Sequence, residues 1–210
     1  MTRIKICGIT NKIDALAAAG LGVEMLGFVF YGGSKRSVEP KTVRDIANEL
    51  PESILKVGVF VDEDRDKVLD IAADVSLDVL QFHGDESPDY CASFKGDYKV
   101  MKAFRIKDAG SLRVVNDYAA DFYLFDTYLK SASGGTGKTF DWKLLKDFEV
   151  LKPFFLSGGL DPENAGRAIT EVAPYGVDVS SGVESSPGKK DITLLKNFVA
   201  NVRRLDYDTR

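Results

Sequence analysis

Eight apolar runs rich in β-branched and aromatic residues recur along this 210-residue chain, and their spacing limits its fold more than any other feature. They begin near Arg3 (RIKIC), Glu24 (EMLGFVF), Ile54 (ILKVGVFV), Leu77 (LDVLQF), Tyr98 (YKVMKAF), Asp121 (DFYLFD), Pro153 (PFFLS) and Gly176 (GVDVSS). Between most of them lie segments of helical periodicity opened by a start signal: Thr10, Pro40, Asp64, Ser87-Pro88, Asp141, Asp161-Pro162 and Asp191. Near-continuous apolar strands alternating with helices belong to parallel sheets covered on both faces. The mean repeat of about 25 residues is one short βα unit, and eight such units suit a closed barrel, usually ~250 residues and ~200 at its most compact. The expected fold is therefore α/β, a single compact (β/α)8 TIM barrel over residues 1–210. An open doubly wound sheet is the alternative. Such a sheet usually stops at fewer strands and carries its glycine-rich turn after the first, whereas the glycine clusters here follow the second, sixth, seventh and eighth runs.

Composition removes several classes of partner. Lys plus Arg number 28 against 32 Asp plus Glu, a net charge of −4 with no basic block longer than Lys189-Lys190, which disfavours a nucleic-acid partner. The stretch Ala15 to Gly33 carries one charge, Glu24, but five glycines divide it, so no membrane span is expected. Ile4 to Ile9 is too short and too interrupted for a signal-peptide core. Two cysteines, Cys7 and Cys91, are too few for a disulfide scaffold and point to a reducing, cytoplasmic setting.

In a barrel the C-terminal ends of the strands share one mouth. There the chain offers Cys7, Arg36, Asp62, His83, Arg105, Asp126, Ser157-Gly158-Gly159 and Ser180-Ser181-Gly182, an inventory suited to an enzyme. The last two turns, LSGGLDPEN and VSSGVESSPGKKD, are placed where barrels hold phosphate on backbone N–H groups, the second with a short extra helix. Either alone reads equally well as a tight turn; together they favour an anion. Cys7 is either a small buried hydrophobe or, at the mouth, a base if a cation or dipole lowers its thiol. Asp126 is either pinned by its loop or an acid or base, and His83 reads equally as structural. A lone histidine with no ligand spacing offers no metal site. The string GGTGKT lacks the first Walker glycine, and no strand directly precedes it. Its likeness to Gly32–Arg36 reads as a trace of half-barrel duplication or as chance.

An ordered set of motifs then resembles one family, phosphoribosylanthranilate isomerase of tryptophan biosynthesis. The segments are KICGIT (Lys5–Thr10), SKRSV with Pro40, VGVFV, QFHGDE, FDT (Phe125–Thr127), GGTGKTFDW, LSGGLDPEN, and GVDVSSGVES with PGKKD, spanning nearly the whole chain. The resemblance implies Cys7 as general base, Asp126 as general acid and Arg36 on an anthranilate carboxylate. It also implies His83 in a supporting role, and phosphate held by Ser157, Gly158, Gly159, Ser180, Ser181 and Gly182. It implies an Amadori rearrangement without cofactor or metal, a small phosphorylated substrate as partner, and a monomer or homodimer. Ser157 stands where the family often has alanine, and Tyr31-Gly32-Gly33 where it often has proline. The competing expectations are the analogous histidine-pathway isomerase, which resembles a two-aspartate design, and a catalytically silent phospho-sugar-binding barrel.

Overall fold

A computed structural model describes residues 1–127 and 141–208. Eight parallel strands close into a barrel in chain order: β1 (Arg3–Cys7), β2 (Met25–Val29), β3 (Leu55–Phe60), β4 (Val79–Phe82), β5 (Lys99–Ile106), β6 (Phe122–Thr127), β7 (Phe154–Leu156) and β8 (Gly176–Val179). Closure is the β1–β8 pairing, with Arg3 opposite Gly176 and Lys5 opposite Asp178. A two-stranded hairpin, β9 (Glu184–Ser186) with β10 (Lys189–Lys190), follows the last barrel strand.

Alternation along each strand separates two apolar layers. Ile4, Ile6, Leu26, Phe28, Phe60, Leu80, Phe82 and Val177 pack outward beneath the helices. Met25, Val57, Val79, Met101, Ala103, Leu124 and Phe155 form a separate cluster filling the barrel interior. Burial on both faces explains why β2 reads as an uninterrupted apolar run, and why β4 and β8 are apolar apart from one inward polar residue each, Gln81 and Asp178.

Helices α1 (Lys12–Gly20), α2 (Pro40–Ala47), α3 (Arg65–Asp74), α4 (Pro88–Ala92), α5 (Ala165–Val172) and α6 (Ile192–Asp208) lie outside the strands. Asp64 and Ser87 cap α3 and α4 as their sequence positions suggest, each side chain accepting a backbone N–H of the first turn. In α1 the cap is Asn11 rather than Thr10; the Thr10 hydroxyl instead donates to the Gly188 carbonyl.

Two connections depart from the expected alternation of strand and helix. Between β5 and β6 the chain makes two 3-10 turns, Ala109–Leu112 and Val115–Asp117, and WKLLKDF makes one, Trp142–Leu145. In WKLL the buried residues are Trp142 and Leu145, three apart, the spacing a 3-10 turn eclipses onto one side. Asp141 caps that turn through Lys143 N–H, and Arg167 of α5 lies 5.0 Å over the Trp142 ring. The GGTGKT stretch, and with it the compared half of the Gly32–Arg36 likeness, falls outside the described residues.

Candidate active site

Strand parity builds the site. Lys5 and Cys7 on β1, Gln81 and His83 at the end of β4, Asp126 on β6, and Ser157 and Asp178 beside β7 and β8 all share the parity of the inward-packed residues. Cys7 and Asp126 lie three strands apart one way round the barrel and five the other, so they face each other nearly across the mouth. Both are partly exposed.

Asp126 is held at both oxygens. Oδ1 accepts Thr127 N–H at 2.7 Å, and Oδ2 lies 3.2 Å from His83 Nε2. Behind His83, Gln81 Nε2 is 3.0 Å from Nδ1. With Gln81 donating, Nδ1 accepts, and His83 carries its proton on Nε2, directed at Asp126. Gly158, at φ +84°, leaves room for this carboxylate: a Cβ there would stand 2.6 Å from Asp126 Oδ1. The Arg105 guanidinium donates to the His83 carbonyl at 2.8 Å. Asp62, at φ +47°, likewise serves loop geometry, accepting Asp85 N–H at 2.6 Å.

Opposite them, Arg36 is engaged by a residue that sequence reasoning missed. Its Nε donates to Glu184 Oε1 at 2.8 Å and its Nη2 to Oε2 at 2.6 Å, a bidentate pair. Lys190 completes the cluster, with Nζ at 2.6 Å from the Cys7 carbonyl, 3.1 Å from the Ser180 carbonyl and 2.9 Å from Glu184 Oε1. Burial pushes the Glu184 carboxyl up, but Arg36 and Lys190 outweigh it and hold it below the usual range. Burial draws Lys190 down despite Glu184. The charges of Glu184 and Lys190 were visible in the sequence; their convergence on Arg36 was not, because it depends on the β9–β10 hairpin folding back over the mouth.

The two glycine turns adjoin one another. Gly158 and Gly159 both have positive φ, and Gly182 lies so close to Leu160 that a Cβ would collide with its carbonyl oxygen. The short helix expected after β8 is a single 3-10 turn, Ser181–Val183. Ser157 is turned inward, its hydroxyl donating to Asp178 Oδ2 at 2.9 Å, so only its backbone adjoins the turn. Ser180 Oγ is buried and has no hydrogen-bond partner among the described residues. Lys5 and Asp178, buried beneath Cys7, were also missed; their signal was a charge at an inward position of an otherwise apolar strand. Among the described residues no cluster of His, Cys, Asp or Glu is placed to hold a metal, and no helix is long and apolar enough to cross a membrane.

This geometry can be set beside known proteins. The family model for N-(5'phosphoribosyl)anthranilate (PRA) isomerase matches residues 4–201. This chain belongs to that family. The phosphoribosylanthranilate isomerase relative from Geobacter sp. (strain M21) is 45% identical over 205 residues, 98% of this chain and 100% of that one. Among solved isomerase structures, that from Thermotoga maritima superposes with a TM-score of 0.91 at 43% identity, covering 97% of this chain and 100% of that one. Another, in complex with reduced 1-(o-carboxyphenylamino)-1-deoxyribulose 5-phosphate, gives a TM-score of 0.85 at 40% identity with the same coverage.

Proposed function

We propose that this chain is an intramolecular oxidoreductase that converts N-(5'-phosphoribosyl)anthranilate to 1-(2-carboxyphenylamino)-1-deoxyribulose 5-phosphate, using Cys7 as base and Asp126 as acid. The observation that carries the assignment of roles is the placement of thiol and carboxyl nearly across one mouth, with two adjoining glycine turns beside them. Asp126, protonated, gives its proton to the furanose ring oxygen. The ring opens to an iminium, whose positive nitrogen acidifies the neighbouring sugar C2–H, and the Cys7 thiolate removes that proton. The resulting enolamine tautomerises to the ketone. One acid and one base suffice, each contributing of order 10²–10⁴-fold, and neither metal nor redox cofactor is required.

The remaining groups hold the substrate ends. Backbone N–H groups of Gly158, Gly159, Ser181 and Gly182, with the Ser180 hydroxyl, receive the phosphate. Glu184 grips the Nε–Nη2 edge of Arg36, so the substrate carboxylate is received on the Nη1 side. His83 orients Asp126. Binding energy at phosphate and carboxylate, both remote from C2, aligns the reacting carbon between acid and base. One barrel carries every group, so a monomer or a homodimer would serve, and two free thiols suit a cytoplasmic setting.

The test is the fluorescence decay of phosphoribosylanthranilate with the purified protein, wild type against Cys7→Ser and Asp126→Asn. Wild type turns over. Each variant folds and loses at least nine-tenths of kcat, since serine is far harder to ionise and asparagine has no acidic proton. Binding without turnover would favour a silent phospho-sugar barrel, and turnover of the histidine-pathway aminoaldose alone would favour that isomerase. Full activity in either variant would displace the corresponding role.

A further inference from the structure

Lys5 is 0% exposed, a setting in which an ammonium is seldom found. It lies two residues before Cys7 on the inward face of β1, in register with Asp178 of β8. Nζ donates to Asp178 Oδ1 at 2.7 Å, while Ser157 Oγ fixes the other carboxylate oxygen at 2.9 Å. Gly27 admits the arrangement. A Cβ at that position would stand 2.9 Å from Cys7 Sγ and 3.1 Å from Lys5 Nζ, so sulfur and ammonium share the space over one glycine.

A buried ion pair is a poor device for stability, because apolar residues of similar volume often do as well or better. The barrel interior contains such residues, Met25, Val57, Val79, Met101, Leu124 and Phe155. The charged pair instead adjoins the thiol that has to lose a proton. We propose that Lys5 is the positioning residue of the base: its ammonium, held by Asp178 and Ser157, stabilises the Cys7 thiolate and exchanges no proton with the substrate. This rests on the reading of Cys7 as base.

Four charged groups surround the sulfur: Lys5 on its own strand, Asp178 from β8, Lys190 from β10 and Arg36 from the β2–α2 loop. Burial pushes the thiol up, Lys5 draws it down, Asp178 pushes it up and Lys190 draws it down, leaving it above its ordinary value. Burial also works against the Lys5 ammonium, but Asp178 and Cys7 outweigh it, so Lys5 remains charged. Deleting Lys5 removes the strongest influence favouring thiolate. Neutralising Asp178 removes one that opposes it and, at the same time, the partner that keeps Lys5 charged.

The experiment is the pH profile of Cys7 alkylation by iodoacetamide, followed by peptide mass spectrometry in wild type, Lys5→Met and Lys5→Gln. Only the thiolate reacts, so a midpoint one unit higher means about tenfold slower labelling at neutral pH. Lys5→Met and Lys5→Gln are each expected to raise the midpoint by a unit or more. The acidic limb of kcat/KM should follow in both, with kcat rather than KM falling in Lys5→Met. An unmoved midpoint in Lys5→Met overturns the proposal. If Lys5→Met does not fold, Lys5→Gln decides, and an unmoved midpoint there overturns it. Wild-type turnover by Cys7→Ser would remove the base assignment but leave the labelling profile standing, since that profile reads the sulfur alone.

Discussion

A guanidinium with one edge already bound to a carboxylate is a narrower tool than a free one. Glu184 fixes the Arg36 plane through Nε and Nη2, and Arg36 is mostly buried, with 18% of its side chain exposed. On the proposed reading, a carboxylated substrate would meet a cation whose direction is set before binding, which would lower the ordering cost of the contact. Arg36→Met should raise KM strongly, consistent with roughly 2–4 kcal/mol for an ion pair in a partly desolvated cleft. Arg36→Lys should recover only part of that, because an ammonium cannot match the fork on Glu184 and still present a second edge. The measurement is KM for the substrate and Kd for a carboxylated product analogue. Equal Kd in Arg36→Met and wild type would remove the carboxylate contact. At this scale the identities of Cys7, Arg36, His83 and Asp126 were legible because residue type and strand-end position are local properties. Their partners were not: Lys5 and Asp178 are 173 positions apart, and Arg36 and Glu184 are 148 apart.

Between elements, Glu86 does the joining at one side of the mouth. Its Oε1 accepts the Asp62 N–H at 2.9 Å and the Gly84 N–H at 3.0 Å, and its Oε2 accepts Lys102 Nζ at 2.7 Å. The end of β3, the loop after β4 and the middle of β5 are thus tied to one buried carboxylate, and Gly84 adjoins His83. Breaking a buried pair by neutralising one partner leaves the other charge uncompensated, at a cost of about 3–5 kcal/mol. Glu86→Gln should lower the urea midpoint accordingly; a shift equivalent to less than about 1 kcal/mol would mean that Lys102 finds another partner. The eight strands were legible at this scale because parallel strands buried on both faces cannot alternate, so each announces itself as an apolar run. The 3-10 turns after β5 and in WKLL were harder to read. Short segments have little helical preference of their own, and the contact of Trp142 with Arg167 is tertiary.

For the molecule as a whole, alkaline pH should act through Cys91. Its thiol, on the buried side of α4, is pushed up to about 12 by burial, whereas in the unfolded chain it ionises near its ordinary ~8.5. A folded value above the unfolded one gives stability that is complete below about 8.5 and lost as pH rises toward 12, because only the unfolded state then releases the proton. Urea unfolding across pH 7 to about 11 should show a steeper alkaline decline in wild type than in Cys91→Ala; parallel declines would refute this. The amino-acid sequence by itself determined the barrel and the cast of mouth residues, because hydrophobic periodicity and glycine placement act within a βα unit of about 25 residues. Only the tertiary structure decided which charges share a partner. Closing the barrel sets β1 against β8, puts Lys5 opposite Asp178 beneath Cys7, and brings the β9–β10 hairpin onto Arg36. Such pairings depend on register around a closed sheet, and no pattern along one strand carries that information.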